Sequence, residues 1–193
     1  MPFGTLWLPV ILSAVAVFLV SSILHMALKY HKRDMKALPN EEAVRSVLGQ
    51  NLSPGIYFTP YCGDMKDMKA PAMKEKFRKG PVALITIRQA GEIAMGKHLA
   101  LWFGFSLLVS FVAGYVARHT LSPGAAGVDV MRITGTVAFA IYGVGHISDA
   151  IWKGQPWSNT AREVMDGGIY ALVTALTFEL LWPGAQCARI SSS

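Results

Sequence analysis

Charge is scarce in this chain. Asp, Glu, Lys and Arg make up 16% of its 193 residues, where a soluble domain carries about a quarter. Cysteine is scarcer still: Cys62 and Cys187 alone exclude a disulfide framework. No glycine-rich nucleotide loop occurs, since Gly124 and Gly127 belong to a short turn, and no H-E-x-x-H or Glu-x-x-His signature marks a metal enzyme. Neither a recognition helix nor a zinc-finger pattern points to nucleic acid. Internal repeats and low-complexity tracts are missing too.

What the chain does hold is apolar sequence in blocks. Hydrophobic residues reach 52% and mean hydropathy is +0.38. Four stretches, about 6–28, 99–116, 128–151 and 164–182, are long enough to cross a hydrocarbon core of about 30 Å, which needs roughly 20 helical residues. Lipid offers the backbone no hydrogen-bond partner, so each must be helical. The first lacks a basic leader and a small-residue cleavage site, so it is expected to be a retained anchor.

Residues 29–98 contain thirteen of the eighteen basic residues and seven of the twelve acidic ones, which accounts for the whole net charge of +6. Lys29, Lys32, Arg33 and Lys97 flank the apolar stretches directly. Basic flanks stay in the cytoplasm, so this segment is expected inside, with both termini outside. Trp7 and Trp182 then fall at outer ends and Trp152 and Trp157 at the inner boundary, as interfacial tryptophans do. Cys62 and Cys187 fall on opposite sides and cannot pair within one molecule. Contact between the basic flank and anionic lipid, worth about 1 kcal/mol per basic residue, explains the charge better than nucleic acid does.

The basic segment reads as a small α+β module. Asn40 is placed to cap a helix with Glu41 and Glu42 in its first turn, ending at Gly49. Ser53-Pro54-Gly55 is turn chemistry and Ile56-Tyr57-Phe58 a short strand. Pro71 opens a second helix that runs to Gly80, and the sequence VALITI is a second strand. The fold expected is mainly α: a four-transmembrane-helix bundle with a small cytoplasmic α+β insertion between its first two helices. The divisions are 1–28, 29–98, 99–182 and an outer tail, 183–193.

Ionisable residues inside a span are costly and mark function by default. His25, His98, His146, Asp149 and Asp166 all fall toward the inner ends of their spans, roughly 7–15 Å from the middle at about 1.5 Å per residue. Together they offer a proton relay or a His/carboxylate metal site. Against this stand two ion pairs at helical spacing, Asp149 with Lys153 and Asp166 with Arg162. Glu179 lies toward the outer end, within reach of Arg118 and His119. Met65 and Met68, near Cys62 and Met73, have soft-metal spacing, but they alternate with Lys66 and Lys69, which repel a cation. Small residues at four-residue spacing, Ser106-Ser110-Gly114 and Gly167-Ala171-Ala175, make smooth ridges for helix packing within one chain or between several.

The strings SSILHMALKYHKRDMKALPNEEAV, KEKFRKGPVALITI and DAIWKGQPWSNT together resemble, over most of the chain, small bacterial integral membrane proteins of unknown function. That resemblance implies a bacterial inner membrane and carries no catalytic residues. The function expected is a non-catalytic membrane subunit or scaffold that packs with itself or a larger complex. The alternative is a small transporter or channel component that uses the His/Asp cluster for protons or a cation. No cofactor, bound metal or nucleic-acid partner is expected, and a membrane enzyme is the class with least support. In a Cys187→Ser variant, an impermeant maleimide should leave Cys62 unmodified in intact cells until the membrane is permeabilised. Labelling of intact cells would reverse the orientation.

Overall fold

The computed structural model describes residues 3–49 and 52–184. They fall into two units, Lys36–Ile93 and the remainder. Four helical segments are long and apolar enough to cross a membrane: Gly4–Ala27, Met95–Thr120, Gly127–Lys153 and Trp157–Leu181. The first combines a helical turn, Phe3–Leu6, with helix α1 (Trp7–Ser22) and a wider π-helical turn, Ile23–Ala27. Leu28 is extended (ψ 128°), and a 3-10 turn, Lys29–Arg33, follows it.

In the smaller unit, helix α2 (Glu41–Gly49), strand β1 (Gly55–Thr59), helix α3 (Pro71–Lys79) and strand β2 (Ala83–Ile87) lie within two residues of the expected positions. The strands pair antiparallel with Tyr57 opposite Ile85. Gly80 ends α3 with φ 64°, a conformation that favours glycine. Asn40 departs from expectation. Its φ of 52° is left-handed, not the extended conformation of a capping residue. Asn tolerates that region because its short side chain bonds locally.

The larger unit is a four-helix ring. Helix α4 is Met95–Thr120, α5 is Gly127–Tyr142, α6 is Ile147–Lys153 and α7 is Trp157–Leu181. Around the ring, α1 packs on α4, α4 on α5, α5 on α7 and α7 back on α1. The third apolar stretch is not one helix: α5 stops at Gly143, a 3-10 turn covers Val144–His146, and α6 continues. The fourth starts seven residues earlier than its hydropathy suggests, because Pro156 supplies a helix start and Asn159, Arg162, Glu163 and Asp166 all lie within α7.

The interior is built from small and polar side chains. Ser106, Ser110 and Gly114 face inward, with the Ser110 hydroxyl donating to Ser13 on α1 at 3.2 Å. Thr134 and Thr174 are fully buried and donate to the carbonyls of Val130 and Tyr170. A cluster of Leu6, Val10, Ala117, Val130, Phe178 and Trp182 closes one end of the bundle. Val17, Leu24, Val109, Ala138, Tyr142, Tyr170 and Ala171 form a second cluster near the other end. Large apolar side chains such as Leu8, Leu19, Leu108, Leu172 and Leu180 are instead exposed.

Both small-residue ridges are thus used within one chain. Helices α5 and α7 touch through glycine: a Cβ on Gly167 would stand 2.4 Å from the Gly143 Cα, and one on Gly135 would stand 3.2 Å from the Ala175 Cβ. Gly167→Ala forces the two backbones apart and should lower stability by about 1–3 kcal/mol. Gly104→Ala, with nothing within 4 Å of the added carbon, should be neutral or stabilising. Thermal unfolding of both variants in detergent checks the contrast.

Candidate functional site

Local backbone geometry turns the chain after the first apolar helical segment back onto α7. The π-helical turn ends at Ala27 and Leu28 bends the chain, so the 3-10 turn delivers Tyr30 and His31 to Asp166, more than 130 residues later. On α7, Asn159, Arg162, Asp166 and Tyr170 follow at spacings of three and four and share one stripe of the helix.

Asp166 is the centre of the site, with only 3% of its surface exposed. Its Oδ1 accepts the Tyr30 hydroxyl, and its Oδ2 accepts from His31 Nε2 at 2.8 Å. His25 Nε2 stands 3.9 Å from the same Oδ2. The His25 ring is half-exposed and stacks on His31 with centroids 4.6 Å apart. His25 Nδ1 lies 3.0 Å from the Ser21 carbonyl and 3.5 Å from the Tyr170 hydroxyl. The opposite face of His31 is fixed as well, by Nδ1 at 2.6 Å from Asp34 Oδ2. Arg162 donates from Nε to Asp34 Oδ1 at 2.7 Å and pairs with it through a second nitrogen. Asn159 holds the Asp34 carbonyl at 3.1 Å and accepts from Arg162 at 2.7 Å.

The electrostatics follow from this alternation of charge. Burial pulls the His31 pKa down, but the hydrogen bonds to Asp34 and Asp166 outweigh it and raise the pKa above the ordinary 6.5. For Asp34, burial acts upward, yet His31 and Arg162 together hold its carboxyl below the ordinary 3.8. Burial first, and then the Asp166 carboxylate it donates to, push the Tyr30 hydroxyl far up, so it remains a donor.

Beside the cluster lies a cavity of about 410 Å³, lined by His25, Trp102, Tyr142, His146, Asp149, Glu163, Asp166 and Tyr170 among others. Glu163 accepts from Gln155 at 2.5 Å and stands 3.4 Å from His146 Nδ1. The Tyr142 hydroxyl is buried and has no hydrogen-bond partner among the described residues. Trp102 closes one wall by donating from Nε1 to Ser21 at 2.8 Å.

Of the five residues expected to gather, four line this cavity: His25, His146, Asp149 and Asp166. His25 and Asp166 meet. Asp149 pairs with Lys153 at 2.8 Å, as helical spacing suggests. The expected Asp166–Arg162 pair does not form, because Arg162 is taken by Asp34. His98 is exposed, and its Nδ1 lies 3.0 Å from the Ala94 carbonyl one turn back. Glu179 lies against Gly127 in the first turn of α5, where a Cβ on the glycine would meet its Cγ at 2.8 Å. His119 faces its own helix through the Tyr115 carbonyl at 2.8 Å. Lys32 and Lys97 are exposed. The side chains of Lys29 and Arg33 lie outside the described ones, as does Cys187 with the tail 185–193.

Tyr30, His31 and Asp34 are the members of this cluster that the sequence does not single out. In the string KYHKRD they read as an ordinary polar flank. The available signal was the α7 stripe, whose arginine and aspartate require partners from some other element.

A histidine with a raised folded pKa stabilises below its unfolded value and loses that contribution as the pH rises through the folded one. Asp34 contributes above its unfolded pKa and loses the contribution as the pH falls through its depressed one. NMR titration of His31 should therefore give an apparent pKa above 6.5, falling in Asp34→Asn; an unchanged value in that variant would break the assignment. No protein-family model, no curated protein and no solved structure matches this chain.

Proposed function

We propose that the chain is a small transporter or channel component of the bacterial inner membrane, whose cavity beside Asp166 takes up a cation. Four segments of spanning length support the membrane setting, as does the surface of the larger unit, where leucines are exposed and serines and threonines buried. In water such a surface would leave its apolar area unsatisfied; in lipid it is the expected one. The excess of basic residues around the first and second segments favours an orientation with Lys36–Ile93 in the cytoplasm and both termini outside. The exposed Lys32 and Lys97 suit contact with anionic headgroups.

The observation that carries the functional reading is Asp166. A carboxylate this buried, within an apolar helix, is expensive unless it is paired and has a use. Tyr30, His31 and His25 surround it, and one side gives onto a cavity whose other polar walls are Glu163, Asp149 and His146. Three carboxylates around one cavity favour a positive occupant. The scaffold reading, with the chain packing as a homo-oligomer or within a larger membrane complex, draws less support, because the ridges of small residues that would serve it are used between α1, α4, α5 and α7.

Flux tests the proposal. Liposomes holding the protein and either a pH dye or a divalent-cation dye should show uptake with one of them. Asp166→Asn should cut that uptake by about tenfold or more. Arg132→Ala, at an exposed pair with Asp129, should not change it. Traces identical to those of protein-free liposomes with both dyes would sink the reading.

A further inference from the structure

We propose that His25, His31 and Asp166 form a binding site for one divalent transition-metal ion of the zinc class, with its open coordination position on the cavity side. The inference names the cation class for the uptake reading and rests on that reading for its role, though not for the binding itself.

Three donor atoms converge. One ring nitrogen each from His25 and His31 and an Asp166 carboxylate oxygen lie within 4.8 Å of one another. Around a tetrahedral zinc ion, bonds of about 2.1 Å set neighbouring donors about 3.4 Å apart. The separations from Asp166 Oδ2, 2.8 Å to His31 and 3.9 Å to His25, bracket that figure. Two imidazoles and one carboxylate suit zinc, cobalt or nickel. Calcium and magnesium would need a shell of oxygens.

The supporting shell argues more strongly than the distances. A histidine that binds metal through Nε2 must have its Nδ1 proton held by an acceptor, which fixes both tautomer and ring direction. The Ser21 carbonyl does this for His25 and the Asp34 carboxylate does it for His31. Asp34 is in turn held by Arg162. Tyr30 occupies Asp166 Oδ1, which leaves Oδ2 as the free ligand atom. Each of the three groups therefore has one polar atom tied down and a second within 3.9 Å of, or on, the Asp166 carboxylate.

Binding requires two local changes. His31 Nε2 gives up to solvent the proton it donates to Asp166. The His25 ring, stacked 7° from parallel with His31, rotates so that its lone pair meets the ion, which its half-exposed position permits. The fourth ligand, a water or a transported group, comes from the cavity, where the unpartnered Tyr142 hydroxyl is a buried polar atom without an acceptor or donor among the described residues.

The test uses the full chain, purified in mild detergent with a histidine-free tag. Zinc titration with metal analysis should give one ion per chain, and cobalt should give the intense visible bands of a tetrahedral site. His25→Ala removes a half-exposed ligand and should leave the fold intact by thermal unfolding while abolishing tight binding. Asp34→Asn, which weakens the support of His31 and the pairing of Arg162 but removes no ligand atom, should weaken zinc by about 10–100-fold. Arg132→Ala should bind like the wild type. Absence of bound metal, or equal binding by the wild type and His25→Ala, overturns the proposal. Zinc binding lost in His25→Ala, but without flux into liposomes, keeps the site and removes the uptake reading. Flux unaffected by His25→Ala in a protein that binds no zinc does the reverse.

Discussion

A carboxylate with 3% of its surface exposed, on a helix that is otherwise apolar for most of its length, costs several kcal/mol if it stands alone. Asp166 does not stand alone, and the end of the bundle around it is arranged accordingly. Tyr30 and His31 reach it only because α1 opens into a π-helical turn and Leu28 bends the chain. Asp34 and Arg162 then complete an alternating row of charges, and Asn159 ties the row to the first turns of α7. Charges that would each be a penalty offset one another when hydrogen-bonded in sequence. Removing any one member exposes its neighbours to the penalty it relieved.

The rest of the bundle serves close helix contact. Gly167 against Gly143 brings α7 and α5 to backbone contact at the level just beyond Asp166. The same meeting point is where α5 ends and the chain passes into the turn carrying His146. The interruption of the third apolar stretch thus coincides with the cavity, whose wall includes Gly145 and His146 of that turn. Below it, serines and threonines fill the interior and satisfy their hydroxyls on their own helices or across to α1. Packing of this kind relies on fit rather than on expulsion of water, which agrees with the leucines being turned outward.

Much of the fold was legible in the order of residues. The four apolar stretches, the strand pair and the helices opened by Glu41 and Pro71 all follow from periodicity, turn residues and helix-end chemistry. The misplaced features share a physical origin. Hydropathy cannot see that α7 begins at Trp157, because its first two turns are polar and become helix by virtue of Pro156 and of partners elsewhere. The break at Gly143 depends on what α7 presents opposite it. Asn40 looked like a cap by residue type, but its backbone took the left-handed region that the same residue type also tolerates.

Residue order alone shows four stretches long and apolar enough to cross a membrane as helices, positive charge gathered between the first two, and a few ionisable residues toward one end of those stretches. Those are consequences of composition along a line, and local physics reads them. Which of those residues meet was decided by tertiary structure alone. Arg162 stands four residues from Asp166 and yet bonds to Asp34, while His31, outside every apolar stretch, turns back to the buried carboxylate. Helical spacing fixes which side chains share a face. Only the bend at Leu28 and the neighbouring helix fix what that face is turned toward.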